Sequence, residues 1–227
     1  MRTMATRARH PERRQEPLSR ERIVGAAVEL LDAVGESGLT FRALAERLAT
    51  GPGAIYWHIA GKTELLVAAT DAVVAPTLDA ADAADATPQE AIRTLAGDLF
   101  DAIDDHPWVG AQLNRAPAPP PLLRVLERIG GRVQALHVPE AAQFTAACTL
   151  LNYILGVAGQ NAANARTAQP GADRGEFLDA VASTWAQLDP AQYPFTRTVA
   201  GQLRTHDDRE EFLAGIDLIL TGIAARR

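Results

Sequence analysis

Between Leu39 and Leu66 the chain reads LTFRALAERLATGPGAIYWHIAGKTELL, and no other stretch restricts the fold as tightly. Phe41, Leu44, Ala45 and Leu48 recur at the spacing of one helix face, behind Thr40, a residue type that caps helices. Ala49-Thr50-Gly51 breaks that pattern. Pro52 then stands where the first turn of a helix tolerates a residue without an N–H. The spacing predicts a second helix from Pro52 to Ile59, with Ile55 and Ile59 inward and Ala54, Tyr56 and His58 free to face a partner. Ala45 is small enough to let the two helices touch, and a third helix opens at Lys62. Two short helices across a tight turn form the unit whose second member enters a major groove. The same periodicity also suits core pieces of any α-helical domain.

The remaining periodicity is helical as well. Ile23, Ala27, Leu30, Leu31 and Val34 line a helix that Ser19 can cap and Gly35 can end. The helix from Lys62 is expected to reach about Pro76 and to run on through the Ala/Asp-rich residues 78–86. Thr87-Pro88 starts another, carrying Ile92, Leu95, Leu99 and Ile103 to a break at Asp104-Asp105-His106-Pro107. Trp108 to Leu113 is a short piece, followed by the proline loop 117–121 and a helix through Leu122, Val125, Leu126, Ile129, Val133 and Leu136. Pro139 opens a long helix to about Arg166, Gln169-Pro170-Gly171 is a loop, and Phe177, Val181, Trp185 and Leu188 mark the next helix. Asp207 to Ala225 closes the chain, with acids first and arginines last, as the helix dipole prefers. No run alternates with period two, so the fold class is all-α.

Charge divides the chain unequally. Residues 1–62 hold ten Lys and Arg against seven Asp and Glu, while the rest holds twelve against twenty-one. A basic end on an acidic body can still orient itself on phosphates. Residues 1–17, with five arginines and two prolines, read as a flexible basic arm. The single cysteine, Cys148, excludes an internal disulfide and agrees with a reducing cytoplasm, where the absence of a signal-peptide pattern also places the chain. Residues 141–159 are uncharged and long enough to cross a bilayer. Their Gln, Thr and Asn content favours a helix buried on all sides inside a soluble protein or dimer.

Catalysis finds no support. Gly61-Lys62-Thr63 lacks the glycine a phosphate-binding loop needs five positions earlier, where Tyr56 stands. Ser19, Ser37 and Ser183 lie in no nucleophile turn, and the five histidines have no metal-type spacing. The paired aspartates sit at helix ends, where they cap. No cofactor and no metal are expected.

From Ile23 to Leu66 the chain resembles the DNA-binding domain of the tetracycline-repressor (TetR) family. The resemblance rests on Gly38-Leu39-Thr40, Arg42-Ala43-Leu44-Ala45, Ala54-Ile55-Tyr56-Trp57-His58, Lys62 and Leu65-Leu66. The Tyr-Trp-His triplet is closest to the tetracycline repressors proper. The resemblance implies a helix-turn-helix domain at 18–63 and a helical ligand-sensing and dimerisation domain at 64–227. It assigns Arg42 to a guanine, through a bidentate contact to O6 and N7. It also places Thr40, Tyr56, His58 and Lys62 on the DNA backbone or nearby bases. Trp57 belongs to the same stretch and is expected to pack the third helix onto the first and fourth. Pro52 and Ala54 stand where tetracycline repressors carry polar base readers, so a different operator is implied; Ala54 can still meet a thymine methyl.

For the C-terminal part, Leu155-Gly156-Val157 is similar to the matching helix of tetracycline repressors. Gln160 stands where those proteins place a magnesium-linked glutamate, and a neutral amide is a poor substitute. The resemblance therefore implies a homodimer built on the helix near 140–166 and the last helix, with no membrane. An apolar or amphipathic effector would be met by Trp108, Phe144, Asn152, Tyr153, Gln160 and Trp185. Such a regulator would bind a two-fold-symmetric DNA operator as a repressor. A helical protein-interaction module, or an all-α enzyme, is the alternative that the residues alone leave open.

Overall fold

The computed structural model describes residues 17–80, 86–167 and 173–225. Most of the basic arm, part of the Ala/Asp-rich run and the Gln169-Pro170-Gly171 loop lie outside the described residues. Among the described residues there are eleven α-helices, one 3₁₀ helix and no strand, as the all-α reading requires.

Helix α1 (Arg20–Gly38) begins where the Ser19 hydroxyl accepts a hydrogen bond from the Arg22 N–H. Its winding breaks at Gly35, whose φ of 68° suits a residue without Cβ, and the helix runs on to Gly38. Helices α2 (Phe41–Arg47) and α3 (Pro52–Tyr56) complete a small N-terminal unit. Helix α4 (Lys62–Ala80) packs on α1, α5 (Pro88–Asp105) and α7 (Pro120–Ala135). Its Thr70 and Thr77 are buried, and each hydroxyl donates back to a carbonyl of the same helix, Leu66 and Val74, at 2.8 Å. Helix α5 opens on a capping box between Thr87 and Glu90.

Helix α6 (Trp108–Leu113) sits between the N-terminal unit and the body, touching α1, α4, α5 and α8. Helix α8 (Glu140–Thr167) is the longest and lies against α5, α7 and α11 (Asp208–Ala224). By length and composition alone its 140–166 stretch is apolar enough to cross a membrane. Leu150, Ile154, Leu155 and Ala158 are buried in the body. Within one protomer the burial is one-sided: Phe144 is 74% exposed, and Thr145, Thr149, Asn152, Gly156 and Gln160 form an exposed stripe, so the expected burial on all sides would need a second copy. On α11, Leu218 is likewise 74% exposed.

One continuous cluster of buried side chains runs from Ile23 of α1, through Leu65, Leu66 and Ala69 of α4, to Ile223 of α11. Helix α9 (Arg174–Ala186), α10 (Pro194–Val199) and the 3₁₀ helix (Ala200–Thr205) stand apart from it and pack on one another through Leu178, Ala182 and Ala200. The last two elements have no counterpart in the sequence reading.

Candidate nucleic-acid interface

The Thr40 hydroxyl accepts a hydrogen bond from the Ala43 N–H at 3.1 Å and so starts α2. Leu44 and Ala45 are buried on its inner face. The helix ends in a Schellman motif: the Thr50 N–H donates to the Ala45 carbonyl at 2.9 Å, and the Ala49 N–H donates to the Glu46 carbonyl at 3.2 Å. The residue in the left-handed conformation this motif demands is Ala49, with φ of 51°, and not a glycine. Gly51 instead caps α3 in an extended conformation, with Pro52 in the first turn. Helix α3 stops at Tyr56, earlier than the predicted Ile59; the Ile55 carbonyl receives the N–H groups of both His58 and Ile59 and the chain turns away. Ile55 and Ile59 are buried, as the spacing predicts.

This frame leaves Pro52, Tyr56, Trp57 and His58 exposed and Ala54 half-buried. Trp57 is 89% exposed, which overturns its expected packing on the first and fourth helices. The reason is register. Ile55 and Ile59 occupy the inward direction, so the side chain between them is turned to solvent. Tyr56 is steadied by Phe41, whose ring stacks on it at 4.4 Å with the planes 9° apart. That stack brings the start of α2, with Thr40 and Arg42, beside the end of α3. The Arg42 side chain is 88% exposed, and its Nε donates to Glu46 Oε1 at 3.0 Å. Phe41 and Glu46 were absent from the site as read in sequence. Glu46 had a signal, its position four residues after Arg42, whereas the Phe41 stack spans two helices and had none.

The unit is tied down around its rim. Arg20 Nη1 donates to the His58 carbonyl at 2.8 Å and to Glu64 Oε1 at 2.6 Å. Glu64 also accepts the Ala60 N–H at 2.7 Å; that bond and the one from Arg20 hold its carboxyl below the usual carboxylate range. Arg47 pairs with Glu29 of α1. Lys62 Nζ donates to the Glu36 carbonyl at 2.7 Å, so its ammonium rests on α1 in this state.

Two carboxylates of α1 face the body. Asp32 Oδ1 accepts from Trp108 Nε1 at 2.7 Å and lies 2.8 Å from His106 Nδ1. Glu36 accepts from Gln112 Nε2 at 2.8 Å and from Arg115 Nη2 at 2.7 Å. Burial pushes the Glu36 carboxyl up, but the hydrogen bonds from Gln112 and Arg115, with the charges of Arg115 and Lys62, outweigh it and hold the group low. Beside this junction a cavity of about 330 Å³ lies between α4 and the proline loop, lined by Thr63, Leu66, Val67, Thr70, Gln112, Arg115 and residues 116–121.

The six residues read as effector contacts do not meet in one cavity among the described residues. Trp108 is buried on Asp32, and Tyr153 stacks on Phe212 in the core at 5.6 Å. Phe144, Asn152 and Gln160 are exposed on α8, and Trp185 is half-buried on α9. No group of three His, Cys, Asp or Glu side chains suited to a metal occurs among the described residues.

Residues 23–69 match the family described as bacterial regulatory proteins, tetR family, and residues 82–227 match the tetracyclin repressor-like C-terminal domain. A solved transcriptional regulator from Streptomyces coelicolor, described as a TetR, is 62% identical with a TM-score of 0.84. That match covers 93% of this chain and all of the other. An HTH-type transcriptional regulator from Saccharopolyspora erythraea is 32% identical over 140 residues, 61% of this chain and 59% of its own. The chain thus spans less than two thirds of the regulators it matches in this way. The class C tetracycline repressor of Escherichia coli is 47% identical over 57 residues, 25% of this chain and 26% of its own.

Proposed function

Because the chain belongs to the tetR family of bacterial regulatory proteins, and is a transcriptional regulator rather than an enzyme, we propose that it is a homodimeric repressor of a two-fold-symmetric operator. The observation that carries this reading is the α2–α3 pair. Its inner side chains are fully buried, while Arg42, Tyr56, Trp57 and His58 stand exposed at one edge. Arg42 reads a guanine, Tyr56, His58 and Lys62 grip the backbone, and Thr40 sits at the start of α2 beside it. Pro52, Ala54 and Trp57 offer apolar contact and no hydrogen bond from the α3 tip except the indole N–H, so the operator differs from those read by polar tips.

The dimer forms on the exposed stripe of α8 and the neighbouring face of α11. Neutral residues there, with Phe144 and Leu218, leave apolar surface that a second copy covers by symmetry. The effector is a small apolar or amphipathic molecule that favours the arrangement unable to hold both half-sites, since only such a difference in affinity shifts the equilibrium.

Fluorescence anisotropy with the duplex flanking the protein's own gene tests the reading. The expected result is specific binding that weakens steeply as salt rises and that Arg42→Ala abolishes. Absence of specific, salt-sensitive binding would falsify it in favour of a protein-interaction module, and binding that Arg42→Ala leaves intact removes Arg42 as the reader. Sedimentation at micromolar concentration is expected to give a dimer, and a monomer there removes the two-fold operator with it.

A further inference from the structure

Helix α2 carries two arginines, and the structure treats them differently. Arg47 is tied to Glu29 on α1, a contact between elements that belongs to the framework. Among the described residues Arg42 is paired only within its own helix, with Glu46 one turn on. An exposed pair inside one helix contributes little to stability, and its order, cation before anion, is the less favourable one for a helix. Holding the fold together does not explain Glu46.

The atoms engaged explain it better. A guanidinium has five N–H groups in a fixed plane. Glu46 Oε1 takes the one on Nε at 3.0 Å and leaves the fork of the two terminal nitrogens, which matches O6 and N7 of guanine end-on. A carboxylate at this edge also repels every phosphate it approaches, whatever the base sequence. We infer that Glu46 is a specificity-determining residue: it positions Arg42 for guanine and disfavours duplexes in which that guanine is missing.

The inference rests on Arg42 being the guanine reader. Ordering one long side chain costs roughly two- to twelvefold in affinity. Glu46 removes part of that cost before DNA arrives. Its charge lowers affinity for all DNA, and the Arg42 fork restores affinity at the right site alone.

The test uses the full-length protein and duplexes that it selects from a randomised pool. One guanine at a time is replaced by 7-deazaguanine, which lacks the N7 acceptor. Wild type is expected to lose about tenfold in affinity at one guanine per half-site. Glu46→Ala is expected to bind random duplex more tightly and to show a 7-deaza penalty reduced several-fold. Glu46→Gln, which keeps an acceptor for Nε, retains the penalty while gaining random-duplex affinity. A full penalty in Glu46→Ala overturns the inference. Arg42→Ala separates the two claims: if it still discriminates like wild type, Arg42 is not the reader and the earlier proposal is what has failed. Melting temperatures of all variants should coincide, because the pair is exposed.

Discussion

Trp108 Nε1 and Asp32 Oδ1 lie 2.7 Å apart, so an indole buried in the C-terminal body is satisfied by a carboxylate on the first helix of the N-terminal unit. Asp32→Ala strands that N–H and is expected to cost about 1–3 kcal/mol of stability. Asp32→Asn retains an acceptor and should cost less. Denaturant unfolding of the two variants decides the matter, and equal stability of Asp32→Ala and wild type would show the contact to be idle.

Ala49 occupies the left-handed position of the turn between α2 and α3, which costs an ordinary residue about 1–2 kcal/mol. Ala49→Gly relieves that strain but adds freedom to the unfolded chain. The net expectation is a gain of about 0.5–1 kcal/mol, read as a small rise in melting temperature. A fall would mean that the Ala49 methyl makes contacts worth more than the strain.

Trp57 is almost wholly solvent-exposed, so Trp57→Ala should change folding stability by no more than about 0.5 kcal/mol. The same variant is expected to weaken DNA binding. In the parent protein, acrylamide quenching of Trp57 should fall when a bound duplex covers it, with the buried Trp108 and the half-buried Trp185 contributing a constant background.

Glu36 gives the contact between α1 and the body a pH dependence. Its carboxyl is held below the ordinary range in the folded state, against about 4.3 when unfolded. A lowered folded value means stability that is present above the unfolded value and is lost as pH falls through the folded one. The melting temperature of wild type should therefore exceed that of Glu36→Gln at neutral pH and converge on it below about pH 4. Parallel curves down to strong acid would show that Glu36 bears no such load.

Much of this architecture was legible in the residues. The helices with a full apolar stripe, such as those through Leu95 and Leu99 or Ile129 and Val133, follow from spacing alone. Local chemistry was readable too, as in the Thr40 cap and the Pro52 start of α3. The direction of Trp57 was legible as well, because Ile55 and Ile59, inward by spacing, leave the side chain between them outside; the expected packing of Trp57 on the first and fourth helices conflicts with that register. The Asp32–Trp108 and Glu36–Gln112 bonds join residues 76 apart in sequence, where no periodicity operates. The effector residues lie apart for a related reason: Phe144 and Tyr153 share one helix, but α11 covers part of the second and leaves the first outside.

The buried cluster that runs from Ile23 to Ile223 passes between the two units through α4, whereas Arg42, Glu46, Pro52, Tyr56 and Trp57 all lie outside it. On the proposed function, choice of target and transmission of a signal would then reside in different atoms. The exposed tip can be rewritten for another duplex without repacking any residue through which the units push on each other. A fragment severed at residue 61 would forfeit Leu65, Leu66 and Ala69, part of its own floor. This fold is permissive at its edge and indivisible at its centre.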